Sequence, residues 1–447
     1  MSILHSLNLP PTTYQRLREV VLLQIDLLLY ASLTPKGNIG LETCATYLDE
    51  YSGTFAGRGK VIADWYFASN ASLRNTLLTD FATAFQQKKV SKQVQKFRTD
   101  WFERIRKEID MLLEHDNSGQ IIVQSFFVEE KKIQACKKQD APKWQQRASE
   151  FFLYFYKMYA GGDAKLPEEI FSDPKAQPFG RQELLDLFIN ENKGLEICAI
   201  CDQARYYTEG QKKKYSILDH YFPKEAYPHF SCHPYNLIPI CHTCNSSIKG
   251  TKDPLHDEKG KPRPLQKRSL PYRHNLTAQV YLEVSPGVDD QLINIGPLRA
   301  KYNVNAEDPA LQQAIELLKE IYQLPDLWSK DNQSIRIHDI LFRRMRHFLD
   351  NGRVLQHGTQ VDTEIYNILR YLLYYLAYED QRRDPFGFAL TWMLASYLKE
   401  KDVPKSATWR GLRDEINSWF GQSLEKSQER DRRVDDLLNI LLQEAKN

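Results

Sequence analysis

Two cysteine pairs of identical spacing constrain this chain more than any other feature of its sequence. Cys198 and Cys201 form one C-x-x-C pair, Cys241 and Cys244 form the second, and 39 residues lie between the pairs. Four thiolates in two such pairs complete the tetrahedral shell of a structural Zn²⁺ and leave no position for water. The sequence therefore predicts a zinc site that stabilises a small module and performs no chemistry.

A redox dithiol is the alternative reading of a C-x-x-C pair, but it is typical of a single pair on a helix that follows a strand. His242 lies inside the second pair and could replace one ligand, yet four cysteines already fill the shell, so we expect it to be exposed. The other cysteines have no partner at metal-binding spacing, and we expect them to be small buried hydrophobic residues. They are Cys44, Cys136 and Cys232.

Length and composition place the chain among globular proteins. Its 447 residues predict two or three domains, and a hydrophobic content of 42% is ordinary for a protein that folds. The apolar run from Val20 to Tyr30 contains Gln24 and Asp26 and is too short to cross a bilayer. Met1 to Pro10 lacks the features of a secretory signal. We therefore expect a cytoplasmic protein without a membrane partner.

Apolar residues at helical spacing dominate both sides of the cysteine region. Thr12 or Thr13 is expected to cap the first helix, Val94 to Leu113 and Trp144 to Tyr159 are predicted helices, and the aromatic residues of the latter are expected to be core. A small hairpin is predicted around residues 280–295, followed by a helix that Asp308 caps. Further apolar faces recur at helical spacing at Ile365, Leu369, Leu372 and Leu376, and at Val434, Leu437, Leu438 and Leu441.

These patterns predict a mostly α multidomain protein with a central zinc-binding module between helical N- and C-terminal regions. Glycine and proline residues after Ala160 indicate a linker. The predicted segments are a helical N-terminal domain (1–160), a linker with a lead-in helix (161–194), the module (195–255), a basic connector with the hairpin (256–300) and a helical C-terminal domain (301–447).

Positive charge is concentrated around the module. The whole chain carries a net charge of +2, whereas residues 211–274 contain 12 Lys and Arg residues against five acidic ones. A basic segment in an otherwise mildly acidic protein indicates a local surface for a polyanion, although a solvated loop is the simpler alternative. The nucleic-acid-binding candidates are Lys212, Lys213, Lys214, Lys224, Lys249 and Lys252.

Between and across the cysteine pairs lies a third pattern. Asp219 and His220 are adjacent, and Asn236 precedes a leucine. Asn245 directly follows the last cysteine, and Lys249 and Gly250 follow it by four and five residues. This order resembles the HNH endonuclease family, whose pattern is D-H, then N-L, then C-x-x-C-N-x-x-K-G. The resemblance covers about 55 of 447 residues. The last interval is one residue longer here.

The resemblance implies a ββα-metal module that hydrolyses phosphodiester bonds. It implies that His220 is the general base, for which an imidazole is suited because its ordinary pKa lies near neutral pH. Asp219 and Asn245 would bind a catalytic Mg²⁺ or Mn²⁺, and Asn236 would hold the loop that orients the base. Lys249 shares a helical face with Asn245 and is expected to contact a phosphate.

The chain also departs from the family pattern. Many members carry a glycine pair between the D-H pair and the middle asparagine, where this chain has a bulkier segment that contains His229 and His233. Either histidine could join the ligand set or touch substrate. The third signature position, often histidine, is Asn245 here, which weakens the inference about metal affinity.

Three functions remain open from the sequence. The first is a metal-dependent endonuclease, with DNA favoured as its substrate. The second is a zinc-containing nucleic-acid-binding protein with a degenerate site, and the third is a scaffold built from the helical flanks. The residues in and around the motifs are similar to those of HNH modules from bacterial antiphage defence and mobile elements. This similarity implies a regulated effector with an ATPase or sensor partner.

Overall fold

The structure is a computed structural model, and it describes a large part of the chain up to residue 323 and shorter stretches beyond. The described residues are 8–68, 72–86, 91–114, 118–130, 132–160, 168–173, 185–186, 188, 190–192, 197–201, 216–257, 259, 261–272, 280–286, 293–300, 308–323, 361–374 and isolated positions between 340 and 398. The protein is mostly helical, as predicted.

Helix α1 (Pro11–Leu33) is the most deeply buried helix of the N-terminal region and packs against four of its other helices. It begins at Pro11. Proline is favoured at this position because N–H groups in the first turn have no intrahelical acceptor, so the lack of an N–H costs no hydrogen bond. The prediction that Thr12 or Thr13 caps this helix was wrong, because Pro10 precedes the helix and no side chain caps it. The residues that recur at helical spacing along α1 are buried, namely Leu17, Val20, Val21, Gln24 and Leu28.

The remaining N-terminal helices surround α1. They are α2 (Leu41–Tyr51), α3 (Gly59–Tyr66), α4 (Ser72–Phe85), α5 (Lys92–Leu113) and α6 (Lys143–Ala160). The last two coincide, within two residues at each end, with predicted helices. As predicted, the aromatic face of α6 is largely core, since Phe151, Phe152 and Phe155 are fully buried.

The described strands form four two-stranded antiparallel ladders. Strand β1 (Gln120–Ile121) pairs with β6 (Leu265–Gln266), and β2 (Val128–Glu129) pairs with β3 (Gln134–Ala135). Strand β4 (Ser216–His220) pairs with β5 (Leu237–Cys241), and β7 (Val280–Pro286) pairs with β8 (Ile293–Ala300). The β7–β8 pair confirms the hairpin predicted around residues 280–295.

The chain divides into two compact units. One contains residues 4–277 and 302–322, with α1 to α6, β1 to β6 and helix α7 (Pro309–Tyr322). The other contains residues 1–3, 278–301 and 323–447, with β7, β8 and helix α8 (Val361–Tyr374). The units group the predicted segments differently, because the N-terminal helices, the module and the connector up to residue 277 belong to one compact body, whereas the hairpin belongs to the other.

Helix α7 explains most of that difference. It was assigned from sequence to the C-terminal domain, but its apolar face, including Leu311, Ile315 and Leu318, is buried in the unit that holds the module. The predicted cap is confirmed, because the Asp308 carboxylate accepts the backbone N–H of Ala310 at 3.0 Å.

The predicted linker also packs where it is described. Ile170, Phe171, Leu185 and Phe188 are buried, and Asn192 exchanges two hydrogen bonds with the backbone of Asn8 at 2.7 and 2.9 Å. These parts of residues 161–194 therefore pack in the folded unit.

In the C-terminal region, Leu369, Leu372 and Leu376 are buried, as their spacing predicted. The predicted helix that carries Val434 and Leu441 lies outside the described residues. No helix in the described part of the chain has both the length and the apolar content needed to cross a membrane.

Candidate functional site

The four cysteines of the two C-x-x-C pairs form one buried cluster, which we call the four-cysteine cluster. All four sulfur atoms lie within 4.8 Å of one another. The Sγ atoms of Cys198 and Cys244 are 3.9 Å apart, and those of Cys201 and Cys241 are 3.7 Å apart. Tetrahedral Zn²⁺ with bonds of about 2.3 Å separates its sulfur ligands by about 3.8 Å. The cluster is therefore compatible with a structural zinc ion.

Backbone donors support the thiolates of this cluster. The N–H of Cys241 donates to Sγ of Cys198 at 3.3 Å, and the N–H of Cys244 donates to Sγ of Cys241 at 3.4 Å. Such second-shell donors fix ligand orientation and stabilise the charged form of sulfur. His242 is exposed, as predicted. Cys44 and Cys232 are buried, whereas Cys136 is half-buried and so departs from its predicted place in the core.

The β4–β5 ladder connects this cluster to the candidate catalytic residues. Ser216 pairs with Cys241 at one end of the ladder, and His220 pairs with Leu237 at the other. At about 3.3 Å per residue, four residue steps separate the two ends by about 13 Å. We call them the cysteine end and the acid end. One short ladder thus positions both predicted centres.

Asp219 lies at the acid end and is only 4% exposed. The Nζ atom of Lys249 is 3.2 Å from each of its carboxylate oxygens, and the Tyr322 hydroxyl donates to Oδ2 at 3.3 Å. Burial raises the pKa of Asp219 to about 6, although the charge and hydrogen bond of Lys249 oppose that shift. Two protein donors therefore hold this carboxylate.

Lys249 reaches Asp219 from a single wide helical turn, Thr243–Lys249, that begins beside the cysteine cluster. The resemblance implied an ordinary helix here. Instead the backbone closes with an i to i+5 bond, in which the N–H of Gly250 donates to the carbonyl of Asn245 at 2.9 Å. Gly250 has a φ of +53°, a left-handed conformation that glycine adopts without strain, and it ends the turn.

The placement of Lys249 bears on its predicted phosphate contact. Its side chain is 2% exposed, and besides Asp219 its ammonium donates to the His220 carbonyl at 2.7 Å. In this conformation the ammonium is directed into the protein. A contact with a phosphate therefore requires Lys249 to leave Asp219.

His220 is buried, and its imidazole is held from two sides. Nε2 lies 3.1 Å from the carbonyl oxygen of Ser231, and since a carbonyl only accepts, Nε2 carries the proton and the lone pair is on Nδ1. The ring of Tyr156 meets the imidazole edge-on, with the ring centroids 4.3 Å apart. The Ser231 hydroxyl in turn donates to the carbonyl of Phe152 at 3.2 Å. Helix α6 therefore supports the imidazole through both contacts.

Asn236 has the position that the resemblance implied, in the loop before β5. Its Oδ1 accepts the N–H of Phe222 at 2.6 Å, and its Nδ2 donates to the carbonyls of Phe230 at 2.8 Å and Phe222 at 3.3 Å. The side chain is fully buried. It ties the segment after His220 to the turn before Ser231.

Asn245, the second predicted ligand of the catalytic ion, is half-buried and makes no side-chain hydrogen bond in the described part of the chain. The four-cysteine cluster is the only group of three or more His, Cys, Asp or Glu residues close enough to hold a metal among the described residues. With Lys249 and Tyr322 on Asp219, the residues as placed do not fit a resident Mg²⁺ or Mn²⁺.

His229 and His233 are fully buried and contact helix α5. Nε2 of His229 is 3.1 Å from Oε2 of Glu108, and its ring stacks on Phe126. Burial lowers the pKa of His229, with Glu108 opposing the shift. Nε2 of His233 lies 3.4 Å from the carbonyl of Ile109. Both histidines thus help to join the module to the N-terminal helices.

The basic candidates have different surroundings. Lys224 is about one-third exposed, with its Nζ 5.4 Å from the ring centre of Tyr156. Lys252 donates to the last carbonyls of α7, those of Glu320 and Ile321. The run of Lys212, Lys213 and Lys214 lies outside the described residues.

Sequence reasoning missed the residues that hold Asp219 and His220 in place. Tyr156 belongs to an aromatic stretch that was interpreted as core, and Ser231 acts through its backbone carbonyl, which no motif records. Tyr322 lies 103 residues after Asp219 on another helix. Only helical spacing hinted at its inward position, and nothing local indicated its partner.

The chain was also compared with known proteins. No protein-family model matches it, and neither a curated protein nor a solved structure matches it.

Proposed function

We propose that this protein is an endonuclease of the HNH type that hydrolyses phosphodiester bonds in nucleic acid, most readily in DNA. The observation that carries the proposal is the fixed imidazole of His220 beside Asp219 at the end of β4. The four-cysteine cluster at the other end of the same ladder supports it, because the resemblance requires both centres in this order.

His220 is the general base of the proposed reaction. Its Nε2 donates to the Ser231 carbonyl, so Nδ1 is the basic nitrogen of the neutral ring and is the atom that would take a proton from an attacking water. An imidazole suits this step because its neutral form is abundant near pH 7. The carbonyl bond also stabilises the imidazolium that forms, since Nε2 carries a proton in both states.

The remaining roles follow the resemblance. Asn236 keeps the loop closed around the imidazole through its three side-chain hydrogen bonds. Lys249 would contact a substrate phosphate once it leaves Asp219. Asp219 and Asn245 carry the oxygen donors that Mg²⁺ or Mn²⁺ prefers, and they would hold such an ion only after Lys249 has left the carboxylate.

The biological setting is proposed on resemblance alone. The chain would be an effector of antiphage defence that acts beside a regulatory ATPase or sensor protein. The contacts of Lys249 and Tyr322 with Asp219 support such regulation, because they occupy the acidic residue in the absence of substrate. The basic segment around the module supports nucleic acid as the polyanion.

A cleavage assay tests the proposal. The zinc-loaded full-length chain, incubated with supercoiled plasmid and either Mg²⁺ or Mn²⁺, should nick or linearise the DNA. His220→Ala should lower the rate by about 10²- to 10⁴-fold, because general-base contributions are of that size. Zinc content and DNA binding should remain at wild-type levels, because Lys249 contacts the His220 backbone carbonyl, which the substitution keeps.

His256→Ala is the control, because it removes a histidine that lies outside the motif and contacts Asp253 at 2.7 Å. Its rate should equal that of the wild type. Cleavage by His220→Ala at the wild-type rate would exclude His220 as the base. DNA binding without cleavage by any form would favour a zinc-containing binder with a degenerate site.

A further inference from the structure

Asp219 already has a cation as its partner. The Lys249 ammonium is 3.2 Å from both carboxylate oxygens, and the Tyr322 hydroxyl adds a third contact at 3.3 Å. Lys249 and Tyr322 are 2% and 1% exposed, so water competes weakly for these bonds. The carboxylate is therefore satisfied by the protein itself.

Lys249 is fixed in this position by its backbone as well as by its charge. The helical turn that carries it starts beside Cys241 and includes Cys244, so the four-cysteine cluster anchors one end of the turn. Its ammonium also donates to the His220 carbonyl at 2.7 Å, next to the carboxylate. The cluster at the cysteine end thus places a positive charge at the acid end.

A divalent ion on the same carboxylate would lie within a few ångströms of this ammonium. Repulsion between two cations at such a distance is strong in a buried site, where water screens little. A bound ion and a bound Lys249 are therefore incompatible at Asp219.

We infer that Lys249 and a divalent cation bind Asp219 in mutual exclusion, and that Tyr322 holds the carboxylate in the Lys249-bound state. The inference rests on the proposed function in taking Asp219 as the ligand of the catalytic ion. A nucleic-acid phosphate is the partner that draws the ammonium away, because it offers Lys249 another anion. Substrate binding then opens Asp219 to the ion.

Thermodynamic linkage makes this exchange reciprocal. If DNA raises the affinity for Mn²⁺ by some factor, Mn²⁺ raises the affinity for DNA by the same factor. The exchange keeps the resting site poor in the ion. It also explains why the same lysine can be buried at rest and still contact a phosphate in the complex.

Direct Mn²⁺ binding to the zinc-loaded full chain tests the inference without any cleavage. Lys249→Gln should bind one Mn²⁺ about tenfold more tightly than the wild type or better, because it removes the competing charge. The gain should vanish in the double variant with Asp219→Asn. Lys252→Gln is the charge-matched control, since its ammonium donates to backbone carbonyls, and its Mn²⁺ affinity should be unchanged.

Two further measurements of Mn²⁺ binding test the inference if Lys249→Gln fails to fold. Tyr322→Phe keeps the ring and removes only the hydroxyl, so it should tighten Mn²⁺ binding by about two- to fivefold. In the His220→Ala background, which keeps DNA intact under the proposed function, a short duplex should tighten Mn²⁺ binding by about tenfold or more. Equal Mn²⁺ affinity with and without DNA, and in every variant, overturns the inference.

The two proposals fail in different ways. Tighter Mn²⁺ binding by Lys249→Gln in a protein that never cleaves DNA supports the exchange and counts against the nuclease. Metal-dependent cleavage that needs His220, together with unchanged Mn²⁺ affinity in Lys249→Gln, supports the nuclease and overturns the exchange.

Discussion

The two ends of the β4–β5 ladder differ in the groups that surround their predicted metal-binding side chains. At the cysteine end, four sulfur atoms converge at the spacing of a tetrahedral ion, and the backbone N–H groups of Cys241 and Cys244 donate to two of them. At the acid end, a buried ammonium and a phenol already hold the single carboxylate. The cysteine end is compatible with a structural zinc ion, whereas protein donors already satisfy the carboxylate of the acid end.

This difference follows from the chemistry of the ligands. Thiolates bind zinc far more strongly than they bind hydrogen-bond donors, so a closed cluster of four is a lasting structural link. A carboxylate binds ammonium, hydroxyl and hard cations with comparable ease, which permits exchange. A stable centre and an exchangeable one can therefore share a ladder of five residue pairs.

The largest effect should come from the cysteine end. Cys201→Ser should lower zinc well below one ion per chain and destabilise the module, because structural zinc contributes about 10–16 kcal/mol of apparent binding free energy. The midpoint of thermal unfolding should fall by about 10 °C or more. Elemental analysis of the purified protein and thermal denaturation measure the two quantities.

Cys136→Ser is the control for that experiment, since Cys136 is half-buried and outside the cluster. It should keep full zinc content and wild-type stability. Folded Cys201→Ser with a complete zinc complement would show that the cluster is not the zinc site, and the contrast between the two ends would be lost.

A smaller loss of stability is expected from the loop at the acid end. Asn236→Ala removes three buried side-chain hydrogen bonds, including the one that the Phe222 N–H donates, whereas the Phe230 carbonyl still accepts the His233 N–H. The free energy of unfolding should fall by about 2–4 kcal/mol, given the usual cost of buried unsatisfied groups. Denaturant titration measures it, and zinc content should be unchanged.

Asn245→Ala is the matched asparagine variant. Asn245 is half-buried and makes no side-chain hydrogen bond among the described residues, so its removal should change stability by less than about 0.5 kcal/mol. Equal losses in the two variants would contradict the view that Asn236 holds the loop and Asn245 does not.

The sequence predicted local features of this protein well. Helical spacing located α5 and α6 within two residues at each end, Asp308 caps α7, and alternation located the β7–β8 hairpin. The cysteine spacing predicted the cluster. Each of these features depends on residues that are near one another in sequence or share a fixed chemical pattern.

The surroundings of Asp219 and His220 could not be predicted in the same way. Tyr156 precedes the D-H pair by more than sixty residues, and Tyr322 follows it by about a hundred. Their contacts depend on how α6 and α7 pack against the module, which no local pattern encodes. The buried pairing of Lys249 with Asp219 was missed because the resemblance assigned the lysine to a substrate phosphate, and no local pattern indicated its contact with Asp219.

The basic run before β4 is expected to bind DNA without taking part in the chemistry of either end of the ladder. Replacing Lys212, Lys213 and Lys214 with glutamine should weaken DNA binding for every sequence. It should also lower the slope of log affinity against log salt by up to about 2.7, at about 0.9 per lost phosphate contact. Binding measured from low to high salt tests this, and cleavage at saturating DNA should be unaffected.

Arg263→Gln provides the comparison for the lysine run, because Arg263 lies in the same basic segment but is paired with Glu320. A cation already neutralised within the protein should contribute less to the salt dependence. An unchanged slope in the lysine variant would show that these lysines do not contact phosphates and belong to a solvated loop.

The smallest effect should come from the ring that supports His220. Tyr156→Leu removes the aromatic contact at 4.3 Å while the Ser231 carbonyl still accepts from Nε2, so the imidazole keeps its tautomer but is held less firmly. We expect cleavage to slow by about tenfold, because a loosely positioned base spends less time in the reactive geometry. Single-turnover rates at saturating DNA and metal measure this.

Tyr156→Phe separates orientation from other roles of this tyrosine. It keeps the ring against the imidazole and loses only the hydroxyl, so it should cleave at the wild-type rate with unchanged zinc content and DNA affinity. A slow Tyr156→Phe would mean that the hydroxyl matters, and a fast Tyr156→Leu would mean that the Ser231 carbonyl alone fixes His220. If the phenylalanine variant is fast and the leucine variant slow, helix α6 belongs to the acid end as a positioning element. The cysteine end, by contrast, would depend only on its own four ligands.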